Sequence, residues 1–398
     1  MLFTLIFIYF IYTIYKIYLS TLEINFIKNH INKSPVILDE YNYKNAGQAA
    51  IVNQKFYIIE YIYSFIIVTF WLFIGLKALN ANIDYQNSIF HGTFYILSFL
   101  IIGILLALPL EIYRTFVKDR KLGFSKITPT LFIKDSIKSL ALLIVFGGLF
   151  IAMILWCFKT LGDSWWIWAF VASFVILILI QLVYPTLIAP IFNKIKPLDD
   201  EDLSSSINSL LENCGFKSKG VFVLDASKRD SRLNAYFGGL GATKRVVLFD
   251  TLIAKLSKDE ILAVLGHELG HFKHKDILKM LIISCVIIFV MFFVFSHIPG
   301  SVIDALNISD NGVSIIIMFL LFSPVLSALF EPIISKFSRN NEFGADEFGA
   351  DVKNKDDMIN ALKKLGSENK AFPISHKLYS AVYHSHPTLY ERINRLEA

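Results

Sequence analysis

Apolar runs of about twenty residues, separated by short polar stretches, dominate the first half of the chain and return twice in the second. We read seven of them, near residues 2–19, 56–77, 92–112, 139–158, 165–190, 277–296 and 313–335. A helix rises about 1.5 Å per residue and the hydrocarbon layer is roughly 30 Å thick, so each run predicts one membrane-crossing helix. The first run starts directly after Met1, with no basic leader and no small-residue cleavage site, and reads as a retained anchor. Pro185, Pro190, Pro324 and Pro332 predict helix kinks or ends. Glu60 lies inside the second run, where a carboxyl either serves a function or simply faces the bundle or the interface.

Between and after these runs lie two polar segments that behave differently. In 191–276, the stretches Val221–Leu224 and 246–249 are β-branched or aromatic and predict short strands. Residues 232–239, RLNAYFGG, lie between them and suit an extended edge strand or an ordinary hairpin. The expected fold is mainly α, a multi-pass membrane protein with about seven transmembrane helices and a catalytic part that holds a small β-sheet. Four regions follow: 1–195 with five spans, 196–276 as the first catalytic part, 277–336 with spans six and seven, and 337–398 as the second catalytic part.

Composition sharpens this. The chain of 398 residues is 55% hydrophobic and only 18% charged, against about 25% charged in ordinary soluble domains, and its mean hydropathy is +0.56. The net charge of +5 is mild, and no nucleic-acid-binding motif accompanies it. Lysine and arginine alternate along the connections. They are present after spans one, three, five and seven, absent from 79–89 and 297–312, and reduced to Lys159 after span four. Positive residues favour the cytoplasmic side, so the N-terminus is expected outside and the C-terminus inside. Cys157, Cys214 and Cys285 are too few and too scattered for a disulfide framework.

The chemistry concentrates in LGHELGHFKHKD, residues 265–276. Ser257 and Glu260 form a capping box that opens a helix just before it. His267 and His271, four apart, fall on one helix face, where two imidazoles can reach one zinc ion. Glu268 follows the first histidine and is placed to act as general base on a water whose pKa zinc lowers. A polar helix face is the bland alternative. His274 sits off that face and is expected at the surface or an interface.

Catalytic zinc needs a third protein ligand and an open position. Residues 338–351, SRNNEFGADEFGAD, offer Glu342 with Asp346, and equally Glu347 with Asp351, because the pentapeptide EFGAD occurs twice. In either pair the aspartate can accept the second ring N–H of a ligating histidine. Asn234 could bond a substrate backbone laid along an edge strand. A histidine or arginine from 384–392, HSHPTLYER, could stabilise an oxyanion.

With these residues in hand, the chain resembles the Ste24 type of CAAX prenyl proteases, in metallopeptidase family M48. The similarity rests on LNAYFG (233–238), VVLFDTL (246–252), HELGH (267–271), SRNNEFGAD (338–346), and SHP (385–387) with Arg392, in that order. The resemblance implies seven helices enclosing a chamber, with a zincin-type domain and one zinc ion on the cytoplasmic side. It selects Glu342 over Glu347, since only the first EFGAD follows Ser338 and Arg339 at the family's spacing. It assigns Asn234 to the substrate backbone and makes His386 and Arg392 active-site polar residues. The implied activity is a membrane zinc metalloendopeptidase. Its substrates would be prenylated CAAX peptides or other membrane-associated peptides, and its partners the lipid bilayer and no nucleic acid. HtpX-like quality-control proteases share the chemistry but have fewer spans than the five found here before HELGH. An inactive homologue would have lost a ligand or the base, and a transporter would show internal repeats.

Overall fold

The computed structural model describes residues 1–83, 88–238 and 244–398. The middle of the connection 79–89 and Gly239 therefore lie outside the described residues. Among those described, six helices are long and apolar enough to cross a membrane: α1 (Leu2–His30), α2 (Glu40–Asn82), α3 (Ile89–Lys121), α4 (Pro129–Thr160), α5 (Gly162–Phe192) and, later in the chain, Asp276–Ser296. Their outer faces carry Phe3, Phe90, Leu149, Leu187 and Leu278, all exposed. That inversion suits a hydrocarbon solvent rather than water. Inside, Leu76, Tyr95, Ile96, Leu155, Val313 and Ile317 form one membrane-region core.

The helices outrun the apolar runs because polar turns extend them past the hydrocarbon. Thus α1 continues to His30 although its apolar run ends near residue 19. Glu60 is paired inside the bundle: Arg114 from α3 donates to it and also bonds Glu111 at 3.0 Å. Pro185 and Pro190 fall where α5 changes to a wider π turn at Tyr184–Ile188 and then ends.

After α5 the chain builds a four-stranded sheet in the order β1-β2-β4-β3. Its strands are β1 (Ile195–Pro197), β2 (Val221–Leu224), β3 (Ala235–Gly238) and β4 (Arg245–Phe249). β2 and β4 run parallel, as their crossover requires, and β3 pairs antiparallel with β4 in the register Ala235↔Leu248 to Gly238↔Arg245. β3 is therefore an edge strand. β1, only three residues long and without apolar alternation, has no counterpart in the sequence reading. Helix α6 (Glu201–Asn213) covers one face of the sheet with Leu203, Ile207 and Leu211.

Helix α7 (Lys258–Lys273) opens on the expected capping box: Ser257 Oγ accepts from the Glu260 amide and Glu260 Oε2 from the Ser257 amide. α7 leads through one left-handed residue, Lys275, into span six, α8 (Asp276–Ser296). The seventh span departs from expectation. Instead of one helix over 313–335 there is α9 (Asn311–Ser327), a turn, and α10 (Glu331–Val352). Together with Gly300–Leu306, bent against it by 85°, α9 makes the seventh candidate span. Two prolines account for the break. Pro324 withdraws a backbone donor near the end of α9, and Pro332 takes the second position of α10, where the missing N–H costs nothing. Helices α11 (Lys355–Glu368), α12 (Lys377–Tyr383) and α13 (Leu389–Glu397) close the chain.

α7 and α10 make the most extensive helix contact of the fold. Their axes approach at glycines. A Cβ on Gly349 would lie 2.8 Å from the His267 backbone nitrogen, and one on Gly270 would lie 2.8 Å from Ala345 Cα. Gly344, the corresponding residue of the first EFGAD, faces only the His274 ring, at 3.3 Å. Gly349→Ala is therefore expected to push backbone against backbone and cost about 1–3 kcal/mol, whereas Gly344→Ala gains helix propensity and costs little. Thermal unfolding in detergent checks this; equal midpoints for the two variants would contradict the contact.

Candidate metal centre

The contact between α7 and α10 brings three donors together. His267 Nε2 lies 3.2 Å from His271 Nε2 and 3.5 Å from Glu342 Oε2, and His271 Nε2 lies 3.3 Å from Glu342 Oε1. No other group of histidine, cysteine or acidic residues among those described has this metal-holding geometry. One donor atom from each of the three residues lies within 4.8 Å of the other two, and the two imidazole nitrogens are close to the roughly 3.3–3.4 Å that separates ligand atoms on a tetrahedral ion with bonds of about 2.0–2.1 Å. Glu342 is 4% exposed and its Oε2 has no hydrogen-bond donor. A buried carboxylate whose oxygens face two imidazole nitrogens, Oε2 toward His267 and Oε1 toward His271, is costly unless a cation completes it. The residues present therefore fit a bound metal ion.

Each histidine turns its other nitrogen to a carboxylate. His267 Nδ1 is 2.8 Å from Asp346 Oδ1, and His271 Nδ1 is 2.9 Å from Asp276 Oδ2. A neutral imidazole that donates Nδ1–H to such a carboxylate keeps Nε2 free for a metal. Burial acts to raise the Asp346 carboxyl, but Arg392 and His267 outweigh it and hold it well below the usual carboxylate range. Burial likewise acts against the Glu342 anion, and His271, His267, His386 and Arg392 prevail and keep it ionised below its ordinary value. For Glu268 burial wins: its carboxyl is raised, against the pull of His267 and His271.

Arg392 donates Nε and Nη2 to Asp346 at 2.8 and 2.6 Å and faces Glu342 Oε2 at 3.6 Å, so most of its fork is spent on that carboxylate. His386 is exposed, with Nε2 3.2 Å from Glu342 Oε1. Asn234 leads into β3, and its side chain accepts from the Ala235 amide. Glu347, by contrast, turns outward and pairs with Arg395 at 2.8 Å. His274 packs near Phe348, away from the centre.

Two cavities meet at Glu268. One, of about 380 Å³, runs past His267, Asn234, His386 and Arg392 and is walled by Val264, Met358 and Leu362. The other, of about 390 Å³, runs past His271 and is bordered by Tyr236, Phe272, Ile277 and Met280. β3 borders both, from Ala235 in the first to Gly238 in the second.

Asp276 is the residue missed by sequence reasoning. Its one signal was its place five residues after His271, a spacing that no regular helix face links. It becomes legible only through the turn at Lys275.

A bundle of membrane-capable helices joined to an HExxH helix and a third buried carboxylate defines an integral membrane metallopeptidase. Comparison with known proteins agrees. Residues 197–398 match peptidase family M48, and residues 28–194 match the N-terminal region of CAAX prenyl proteases, described as five membrane helices. CAAX prenyl protease 1 of Saccharomyces cerevisiae is 38% identical over 74% of this chain and 69% of its own length. The CAAX prenyl protease 1 homologue of Dictyostelium discoideum is 35% identical over 80% and 76%. The crystal structure of S. mikatae Ste24p superposes with a TM-score of 0.90 at 31% identity, covering 99% of this chain and 98% of that one. The chain belongs to peptidase family M48 and is a membrane metalloendopeptidase of the Ste24 type, a family whose activity requires a metal.

Glu342→Ala is expected to reduce metal content by an order of magnitude or more at limiting metal, and Glu347→Ala to leave it unchanged. Elemental analysis of the purified variants decides, and the reverse result would reassign the third ligand.

Proposed function

We propose that the centre holds one zinc ion through His267, His271 and Glu342, and that the protein hydrolyses peptide bonds near the C-termini of prenylated CAAX peptides. The observation that carries this reading is the pair of cavities meeting at Glu268 beside the edge strand β3. An extended peptide can add to that edge, with its backbone bonded along 234–238 and its side chains falling alternately into the cavities. Asn234 stands at one end of that path, where its amide can bond the substrate backbone. The bordering residues Ile277 and Met280 belong to span six, so a substrate in the second cavity lies beside the membrane, as a lipidated chain end would.

Zinc bound there supplies Lewis acidity and lowers the pKa of water. The remaining steps fall to this chain's own groups. A carboxylate oxygen of Glu268 takes a proton from the attacking water and returns it to the leaving amine nitrogen. Burial suits Glu268 to this exchange, because a raised carboxyl gives the proton up less readily to bulk water. His386, exposed at the first cavity, is the residue placed to donate Nε2–H to a developing oxyanion. Arg392 acts through Asp346, which orients His267.

The lysine and arginine pattern supports an active site facing the cytoplasm, with residues 196–276 and 337–398 forming one catalytic unit across spans six and seven. In a bacterial host that unit would hang from the inner membrane. The test uses purified protein with a farnesylated CAAX peptide and its unprenylated twin. Glu268→Gln should keep zinc and lose about 10²–10⁴-fold in turnover. Cleavage restricted to the lipidated peptide supports the substrate class. Cleavage of unlipidated or unfolded chains alone keeps the protease and replaces its substrate with damaged proteins. Unimpaired turnover in Glu268→Gln rejects the mechanism.

A further inference from the structure

The first residue of span six touches the centre. Asp276 is 5% exposed, and its two oxygens are divided: Oδ2 lies 2.9 Å from His271 Nδ1, and Oδ1 accepts from Lys279 Nζ at 2.8 Å. It reaches His271 because α7 ends at Lys273 and Lys275 adopts a left-handed conformation, φ 57°. The chain turns within two residues, so the first residue of α8 meets the last turn of α7. His271 is thereby held as His267 is held by Asp346, but by a carboxylate from a membrane-spanning helix.

We propose that Asp276 is a positioning residue of the metal centre: it fixes the ring orientation and the Nδ1–H tautomer of His271 and couples the second ligand to the start of span six. This rests on the zinc reading above. A carboxylate on Nδ1–H raises the basicity of Nε2 and holds the ring against rotation. Removing such a partner typically weakens metal binding about 10–100-fold. Lys279 sits on the other oxygen, half exposed, and neutralises the carboxylate without touching the histidine.

Zinc affinity of the full chain in detergent, measured by competition with a chelator, tests this alongside the visible spectrum of the cobalt-loaded protein. Asp276→Ala is expected to lose about 10–100-fold in zinc affinity and to shift the cobalt bands, because the ligand ring is free to turn. Asp276→Asn, near-isosteric and still able to accept from Nδ1–H, should fall between it and the native protein, and it serves the same comparison should the alanine variant fail to fold. Lys279→Met removes the other partner but leaves the contact with Nδ1 in place, so it should cost less zinc affinity than Asp276→Asn and leave the cobalt bands unshifted. Zinc affinity within twofold of native in Asp276→Ala and Asp276→Asn, with unshifted cobalt bands, overturns the proposal and leaves Asp276 as the first residue of span six. Equal losses in Lys279→Met and Asp276→Asn also overturn it, since the effect would then be general to the start of that helix. If the native protein itself takes up no zinc, the metal-centre reading falls, which is distinguishable because the histidine variants then lose nothing.

Discussion

Everything at this centre depends on how closely two helices can approach. Gly266, Gly270 and Gly349 bring α7 and α10 to backbone contact, and a Cβ on Gly266 would lie 3.1 Å from Gly349 Cα. At that separation Glu342 and Asp346, one turn apart on α10, reach the imidazoles of His267 and His271, one turn apart on α7. Widening the contact by a methyl group would move donor atoms by a sizeable fraction of a bond length, and a donor set whose imidazole nitrogens stand 3.2 Å apart does not tolerate that. Small residues at such a floor are expensive in helix propensity. They persist where proximity matters more.

The second constraint is electrostatic. Glu342, Asp346, Asp276 and His267 are all buried. Burying charges is costly, and specific partners offset several of these: the Arg392 fork at Asp346 and Lys279 at Asp276, as Lys364 does at Glu260 at the head of α7. The same low dielectric that makes the burial costly strengthens whatever the centre does to a bound carbonyl. Hydrophobic packing carries the fold around it, with Leu265 and Leu269 pointing from α7 into the core that holds Val246, Leu248 and Ala361.

Much of the architecture was legible because membrane helices announce themselves over a long window. Six of the seven apolar runs correspond to membrane-capable helices, and β2 matches its apolar stretch residue for residue. What the window could not show were ends. Polar turns lengthen α1 without changing its apolar signal, and the run at 313–335 concealed a break because Ala328, Leu329 and Phe330 are as apolar as the helix before them. β1 escaped because three residues ending in a proline carry no alternation to detect. It exists as a strand only because β2 offers it a free edge.

Local geometry explains the rest of the division. A helix places residues four apart on one face whatever surrounds it, so His267 with His271 and Glu342 with Asp346 were readable as pairs from spacing alone. Choosing among them was not a local matter. Spacing left the two EFGAD copies equivalent, and resemblance to a family preferred the first. The tertiary structure gives the copies different work: the first turns Glu342 and Asp346 inward, while the second supplies Gly349 to the helix contact and leaves Glu347 to Arg395 at the surface. Arg392 on Asp346 and Asp276 on His271 lie in the same class, joined by contacts across helices or around a left-handed turn. The sequence by itself determined which side chains share a face, because that follows from backbone periodicity. Only the packed structure decided which faces meet, because that depends on how closely α7 and α10 can approach.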